Sequence, residues 1–347
     1  MSRTFTDVEN KLLNAIQDEV PLVERPFAAI GARAGLTEAA TLDILRQLKS
    51  DEPPVIRQIS AIFDTSALGY RSSLVAAKID PHRLDEAAAI ISAHPGVSHN
   101  YQRQHDYNLW YTLAVAPDSQ LGLEKTIALL HQQSGALETR PLPTLKLFKI
   151  GVKLNLGGHD IATRTTTPHF AEEERSAAIA FPITEEDKRM IRVLQQDLRL
   201  VQYPYDPWAG QANVSPDRFL ESAQLYQQQK RMRRFSAVLH HRAAGFAANA
   251  MGVWIVPAAD AESFGMAAAS FSAVSHCYLR PTYPDWPYNI FTMVHGPDAG
   301  ACEKVLQSIA EHTGVKQYMS LYSTHEYKKV RVKYFTEEAA AWEARFA

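Results

Sequence analysis

A seven-residue string occurs twice in this chain. Val97-Ser98-His99-Asn100-Tyr101-Gln102-Arg103 returns as Val274-Ser275-His276-Cys277-Tyr278-Leu279-Arg280, so V-S-H-x-Y-x-R keeps one internal spacing. That repeat constrains the fold before any other feature does, because the chain is to be read as two versions of one unit. In an extended strand, residues two apart point to one face. His, Tyr and Arg then line one side of a strand in each copy. For a single copy, an edge strand with a solvated face is the simpler account. Two copies weaken it, since a solvated face has no need of His, Tyr and Arg in that order.

Reading outward from the two strings gives the same element order on both sides. Thr6-Asp7-Val8-Glu9 and Thr184-Glu185-Glu186-Asp187 each open a helix with a capping residue and acids in the first turn. Pro26-Phe27 and Pro204-Tyr205 follow, then capped helices after Thr37 and after Ser215, with Pro216 at a first helical position. Three short helices running into a β-rich segment predict a winged helix-turn-helix. Strands over 55–62 and 231–238 come next, each followed by a Gly with an aromatic (Gly69-Tyr70, Gly245-Phe246). Beyond them each half reads strand, helix, V-S-H-x-Y-x-R strand, strand, helix, strand. That order is the ferredoxin-like βαββαβ unit. The expected fold is α+β: a tandem repeat of winged helix-turn-helix plus ferredoxin-like domain. The divisions are 1–54 and 55–154 for the first copy, 155–183 for a linker rich in Gly, Thr and Pro, and 184–230 and 231–347 for the second. The closing TEEAAAWEARFA predicts a short helix.

Composition removes several function classes. With 347 residues, 46% hydrophobic and 21% charged, the chain is long enough for more than one core. A formal net charge of -2 gives no overall pull toward nucleic acid or anionic membrane. Two cysteines, Cys277 and Cys302, make no disulfide framework, and neither sits in a C-x-x-C pair. The opening MSRTFTDVENKLL is charged and amphipathic, without an apolar leader stretch, and no run approaches the ~20 apolar residues of a membrane span. A cytoplasmic location and no membrane partner are the expectations.

A helix-turn-helix followed by a βαββαβ domain resembles the leucine-responsive regulators, which bind DNA and sense effectors. VSHNYQRQHDYNLWYTL and VSHCYLRPTYPDWPYNIFTMVHG carry the likeness further. They resemble the two subunit types of the siroheme decarboxylase family, and RRFSAVLHHRAAGFAANAMGVWIVP fits the second type. The resemblance covers nearly all of the chain outside 155–183. It implies a fusion of two subunits that are usually separate chains. It also implies removal, as CO2, of the carboxyl groups of two acetate side chains of siroheme, feeding haem d1 synthesis or the alternative haem pathway.

Such chemistry needs an electron sink, which the macrocycle supplies once its substituted carbon is protonated. No resident cofactor is then required, and the iron arrives with the tetrapyrrole. The protein must hold several carboxylates and place a proton donor. Arginine suits the first task through its planar, permanently charged fork. Histidine suits the second, with a reference pKa near ~6.5. His99 and His276 are the leading donor candidates. His240 and His241 follow a basic strand and read equally well as a surface pair, an acid, or (His240) an axial ligand to substrate iron. Arg57, Arg231, Arg233 and Arg234 are candidate carboxylate clamps; alternation would put Arg231 and Arg233 on one face, with a solvated wing as the plain alternative. Tyr101, Arg103, Tyr278 and Arg280 complete the repeated strands, and His105 and Tyr107 fall at a hairpin bend near them. Trp286 sits in the Pro-rich loop 281–288 with Tyr283 and Tyr288, suited either to walling a macrocycle or to plugging its own core.

The halves are unequal: Arg231, Arg233 and Arg234 face only Arg57 in register, and His240, His241 and Arg242 stand where the first half has Asp64, Thr65 and Ser66. The rival readings are a transcription regulator and a haem sensor or carrier. The helices TEAATLDILRQLKSD and SPDRFLESAQLYQQQK mix acids with sparse basic residues, which argues against DNA. Pairing of the two halves within the chain is expected, and both a monomer and a homodimer remain open.

Overall fold

The computed structural model describes residues 5–150, 182–239 and 248–346. The expected linker therefore falls almost wholly outside the described residues, as do His240 and His241. Two compact units emerge, and neither is a contiguous half of the chain. One comprises 1–69, 173–243 and 333–336; the other comprises 70–172, 244–332 and 337–347.

The first unit contains both helix-turn-helix segments. Helices α1 (Asp7–Asp18), α2 (Pro26–Ala34) and α3 (Glu38–Ser50) are matched by α6 (Glu185–Leu194), α7 (Asp206–Ala212) and α8 (Pro216–Gln228). The starts follow from side-chain caps. Thr6 with Glu9 and Thr184 with Asp187 form reciprocal capping boxes. Thr37 accepts from Ala40 N, and Ser215 from Arg218 N ahead of Pro216. Gly35, at φ 73°, ends α2 in the left-handed region. Strands β1 (Ile56–Phe63) and β7 (Met232–Leu239) pair antiparallel with each other as a two-stranded ribbon. The sequence reading sets these two strands at the head of the ferredoxin-like domains; they instead close the helical unit. Each copy also hydrogen-bonds to the other's ribbon strand, Val20 N to Phe235 O and Leu198 N to Ile59 O.

The second unit holds two βαββαβ sets. In the first, β2 (Arg71–Lys78), α4 (Leu84–Ser92), β3 (Val97–Arg103), β4 (Leu109–Val115), α5 (Gly122–Ser134) and β5 (Glu138–Pro143) follow in order. In the second, β8 (Ala248–Trp254), α9 (Ala261–Ala269), β9 (Val274–Leu279), β10 (Ile290–Gly296), α10 (Ala299–Thr313) and β11 (Tyr318–Lys329) repeat them. With β6 (Lys146–Ile150), the strands form one nine-stranded sheet, β5-β2-β4-β3-β11-β8-β10-β9-β6. The halves exchange strand ends. Residues 318–322 of β11 pair with β8 of their own half, and residues 323–329 pair with β3 of the other. Likewise β5 pairs with β2 at home, and β6, two residues on, pairs with β9 across the duplication.

Each half buries a helix-facing core of its own, centred on Val75, Tyr111 and Leu130 in one and on Trp254, Phe264 and Leu306 in the other. A third cluster draws on both halves: Ala76, Trp110 and Leu142 with Met251, Phe291 and Leu321. That shared cluster is the pairing of halves within the chain that the duplication predicts. At 25 cal/mol per Å² of apolar area, burial of this kind is the dominant favourable contribution. The closing helix α11 (Glu337–Glu343) forms as expected and lays Trp342 into the first half's core.

Candidate functional site

Both V-S-H-x-Y-x-R strings lie on strands of the second unit, and both break the ladder at the same residue. In β3, Val97 pairs with Leu113 but His99 with Thr112; in β9, Val274 pairs with Val294 but His276 with Met293. Ser98 and Ser275 are therefore the extra residues of two β-bulges, a device that re-aims neighbouring side chains. Each serine uses its position to hold the next residue: Ser98 Oγ lies 2.9 Å from His99 Nδ1, and Ser275 Oγ 2.8 Å from His276 Nδ1. Beyond the bulge, alternation sends Asn100 and Cys277 into the helix side of the sheet, where Asn100 Nδ2 reaches Ala88 O and Cys277 is fully buried. His99, Tyr101 and Arg103 share the opposite face, as do His276, Tyr278 and Arg280. The histidine and tyrosine rings sit 6.0 Å apart in both copies.

The two arginines at the string ends are buried, Arg103 at 5% exposure and Arg280 at 8%. Their partners are backbone carbonyls of the opposite half, just before the chain crosses from one half's strands to the other's. Arg103 Nη1 donates to Leu321 O at 2.7 Å, and Arg280 Nη1 donates to Leu142 O and to Thr144 Oγ1. Arg280 lies over the Tyr278 ring at 4.7 Å, and Arg103 over Tyr101 at 6.0 Å. Burial lowers both guanidinium pKa values to about 10, against a small upward pull from the neighbouring tyrosine. Neither Nε has a hydrogen-bond partner, and among the described residues no carboxylate pairs with either arginine. His99 is held below its usual range by burial first and Lys329 second, with Glu326 opposing; Tyr101 is pushed up to about 12, mainly by burial.

The other predicted residues fall elsewhere. Arg57, Arg231, Arg233 and Arg234 belong to the first unit. Arg57 and Arg234 are exposed on the ribbon, whereas Arg231 is 3% exposed and acts electrostatically on the Asp187–Tyr226 pair. Arg233 donates through Nε (3.1 Å) and Nη2 (2.5 Å) to Asp64 Oδ2, so a carboxylate of the first half already occupies its fork. Trp286 differs from a substrate-facing wall: it is 0% exposed, edge-on to Tyr107 and Trp110 in the shared core. Its loop is tied down by Asp285, which accepts from Arg140 Nε and Nη2 at 3.0 and 2.8 Å and from Tyr107 Oη. His105 packs edge-on against Trp286, and its Nδ1 accepts from Tyr107 N. Sequence reasoning passed over the bulge serines, although the repeated Val-Ser-His was their signal, and over His295, whose Nε2 lies 2.8 Å from Ser275 Oγ. Among the described residues no cluster of His, Cys, Asp and Glu is arranged to hold a metal, and no helix is long and apolar enough to cross a membrane.

Residues 67–149 and 243–328 match the family described as the AsnC-like ligand binding domain, and residues 9–57 match the siroheme decarboxylase NirDL-like HTH domain. The siroheme decarboxylase of Hydrogenobacter thermophilus is 38% identical over 96% of this chain and 96% of its own length. The siroheme decarboxylase beta subunit of Methanosarcina barkeri is 40% identical, with 97% of its length covered by 42% of this chain. A crystal structure of the siroheme decarboxylase NirDL in co-complex with an iron-uroporphyrin III analogue is similar at a TM-score of 0.78 and 33% identity, covering 98% of each chain. Duplicated bulges, paired halves and full-length likeness converge: the chain belongs to the siroheme decarboxylase family.

Proposed function

We propose that this chain decarboxylates siroheme, converting two ring acetates to methyl groups with release of two CO2, and that His99 and His276 serve as proton donors. Each event is R–CH2–COO⁻ plus H⁺ giving R–CH3 plus CO2, so one proton must reach carbon for every CO2 released. The observation that carries the reading is the repeated placement of a serine-held histidine two and four residues from a tyrosine and a buried arginine that has no carboxylate partner among the described residues. An uncompensated buried charge costs several kcal/mol, and a polyanionic ligand offsets that cost. Arg103 and Arg280 therefore rank ahead of Arg233 as carboxylate contacts. Bidentate arginine is the strong form of that contact. No resident cofactor is needed: the macrocycle takes up the electron pair, and its iron is part of the substrate.

General acid catalysis supplies about 10²–10⁴-fold, and positioning supplies much of the rest. Anaerobic incubation with siroheme, followed by mass spectrometry of the tetrapyrrole, tests the reading. The expected product has lost two CO2. His99→Ala or His276→Ala should slow the loss by about 10²-fold or more with little change in tetrapyrrole affinity. A bound but unaltered pigment would mark a carrier, and full activity in both histidine variants would remove them as donors.

A further inference from the structure

The two histidines are not equivalently supported. In the second half, Ser275 Oγ touches two imidazoles, His276 Nδ1 at 2.8 Å and His295 Nε2 at 2.8 Å, with the Met293 carbonyl farther off at 3.3 Å. His295 lies on β10, anchored by its backbone N–H to Ala273 O, and is half-buried. The corresponding residue of the first half is Ala114, in register Trp110-Tyr111-Thr112-Leu113-Ala114 against Phe291-Thr292-Met293-Val294-His295, and its backbone N–H donates to Gly96 O as that of His295 does to Ala273 O. Ser98 thus holds one imidazole where Ser275 holds two.

A hydroxyl carries one hydrogen, so the three-atom chain has a direction. With His295 Nε2–H donating to Ser275 Oγ, and the serine hydrogen going to the nearer acceptor, His276 Nδ1 at 2.8 Å over the Met293 carbonyl at 3.3 Å, the His276 proton resides on Nε2. We propose that His295 is a positioning and proton-relay residue for His276, and that it makes the second half the better-supplied donor site. The proposal rests on the reading of His276 as a proton donor.

The step balances. His276 Nε2–H breaks as the substrate C–H bond forms; Ser275 Oγ–H passes to His276 Nδ1; His295 Nε2–H passes to Ser275 Oγ. His295 goes from imidazolium to neutral imidazole, and His276 is neutral before and after, so no imidazolate forms. After product leaves, a solvent proton on the vacated His276 Nε2 and the reverse shift through Ser275 restore the starting state. In the first half the serine has, among the described residues, no second imidazole behind it, and His99 must start as imidazolium, which its burial opposes.

Two substitutions separate relay from packing. His295→Gln keeps an amide N–H for Ser275 but has no proton to give up; His295→Val removes every polar atom, as the apolar Ala114 does at the equivalent place in the first half. Both variants are expected to lower kcat for decarboxylation by about 10–100-fold with KM within about twofold, and exogenous imidazole is expected to restore part of the His295→Val rate. Nitrogen NMR of His276 gives a readout independent of turnover: the Nε2–H tautomer should persist in His295→Gln and be lost in His295→Val. Wild-type kcat in His295→Gln with a slow His295→Val variant would reduce His295 to an orienting contact and overturn the relay. Wild-type rates in both would overturn the proposal outright. If instead His276→Ala is fully active, the donor reading itself fails, an outcome distinct from either result at His295.

Discussion

Removing the Arg233 guanidinium is expected to destabilise the protein by about 3 kcal/mol at pH 7 without first touching substrate. Asp64 is 3% exposed and sits in the turn after β1. Burial pushes its carboxyl pKa upward. The Arg233 charge, the Arg233 hydrogen bonds and donors from Ser66 and Ala67 more than reverse that push, leaving it at about 2 instead of 3.8. A folded-state pKa below the unfolded one contributes stability that is present above about pH 4 and lost as pH falls from there toward 2. A fall from 3.8 to about 2 corresponds to about 2.5 kcal/mol. Arg233→Ala loses that contribution and leaves a buried carboxylate without its cation. Breaking such pairs costs about 3–5 kcal/mol, and the Ser66 and Ala67 hydrogen bonds that remain place this case at the lower end. In the variant the Arg233 charge no longer opposes burial, so Asp64 takes up a proton at higher pH than in the wild type and the gap between the two proteins narrows in acid. Urea unfolding at pH 7 and at pH 3.5, followed by circular dichroism, reads both quantities. An Asp64→Asn/Arg233→Ala double-mutant cycle then isolates the pair. A gap under about 0.5 kcal/mol at pH 7, or one of equal size at both pH values, would refute the assignment. It would also return Arg233 to the arginines available for substrate carboxylates.

His94, 6% exposed against Trp342, has its pKa driven down to about 4 by burial, with Lys328 adding and Glu343 opposing. Its stabilising neutral form is fully favoured above pH 6.5 and forfeited as pH falls toward 4, about 3 kcal/mol in all; His94→Phe, which copies Phe271, should flatten that slope in urea titrations between pH 7.5 and 5. Trp286→Ala should cost about 3–5 kcal/mol of unfolding free energy, because the ring is wholly enclosed; a loss under about 1 kcal/mol would mean the loop 281–288 is not part of the core. Arg103→Met and Arg280→Met should shift unfolding by less than about 2 kcal/mol, since an apolar side chain replaces a buried cation, yet weaken tetrapyrrole binding about tenfold or more in optical titration. Unchanged affinity in both would detach these arginines from the ligand.

Local chemistry made much of the fold legible. Thr6 with Glu9, Thr184 with Asp187 and Ser215 with Pro216 fix helix starts through contacts three residues long, and period-two alternation marked β3, β4 and their counterparts. What local chemistry cannot specify is which strand a strand will meet. The apolar faces of β1 and β7 predict two strands, and nothing within either says that they pair with each other across more than a hundred residues. The same limit hid the exchange of strand ends, where two residues between β5 and β6 carry the chain from one half's sheet to the other's.

The site was legible where both copies agree and obscure where a residue's partner lies in the opposite copy. Setting Asp64 in line with His240 made the halves look chemically unequal, but Asp64 is the counter-charge to Arg233, so in that region the inequality is complementarity. The bulge serines escaped notice because strict alternation was carried straight through them, whereas the extra residue reverses the phase and puts Val97 and Asn100, three apart, on the same helix-facing side. Once the bulge is seen, the repeated string divides by task. Its serine aims the histidine, and its arginine pins a carbonyl of the opposite half, Leu321 in one copy and Leu142 in the other. Both of those duties are met twice. Among the described residues the imidazole behind the serine occurs once, as His295 where the first half has Ala114, and a scaffold duplicated so closely leaves that imidazole as the physical basis for giving the two halves different work.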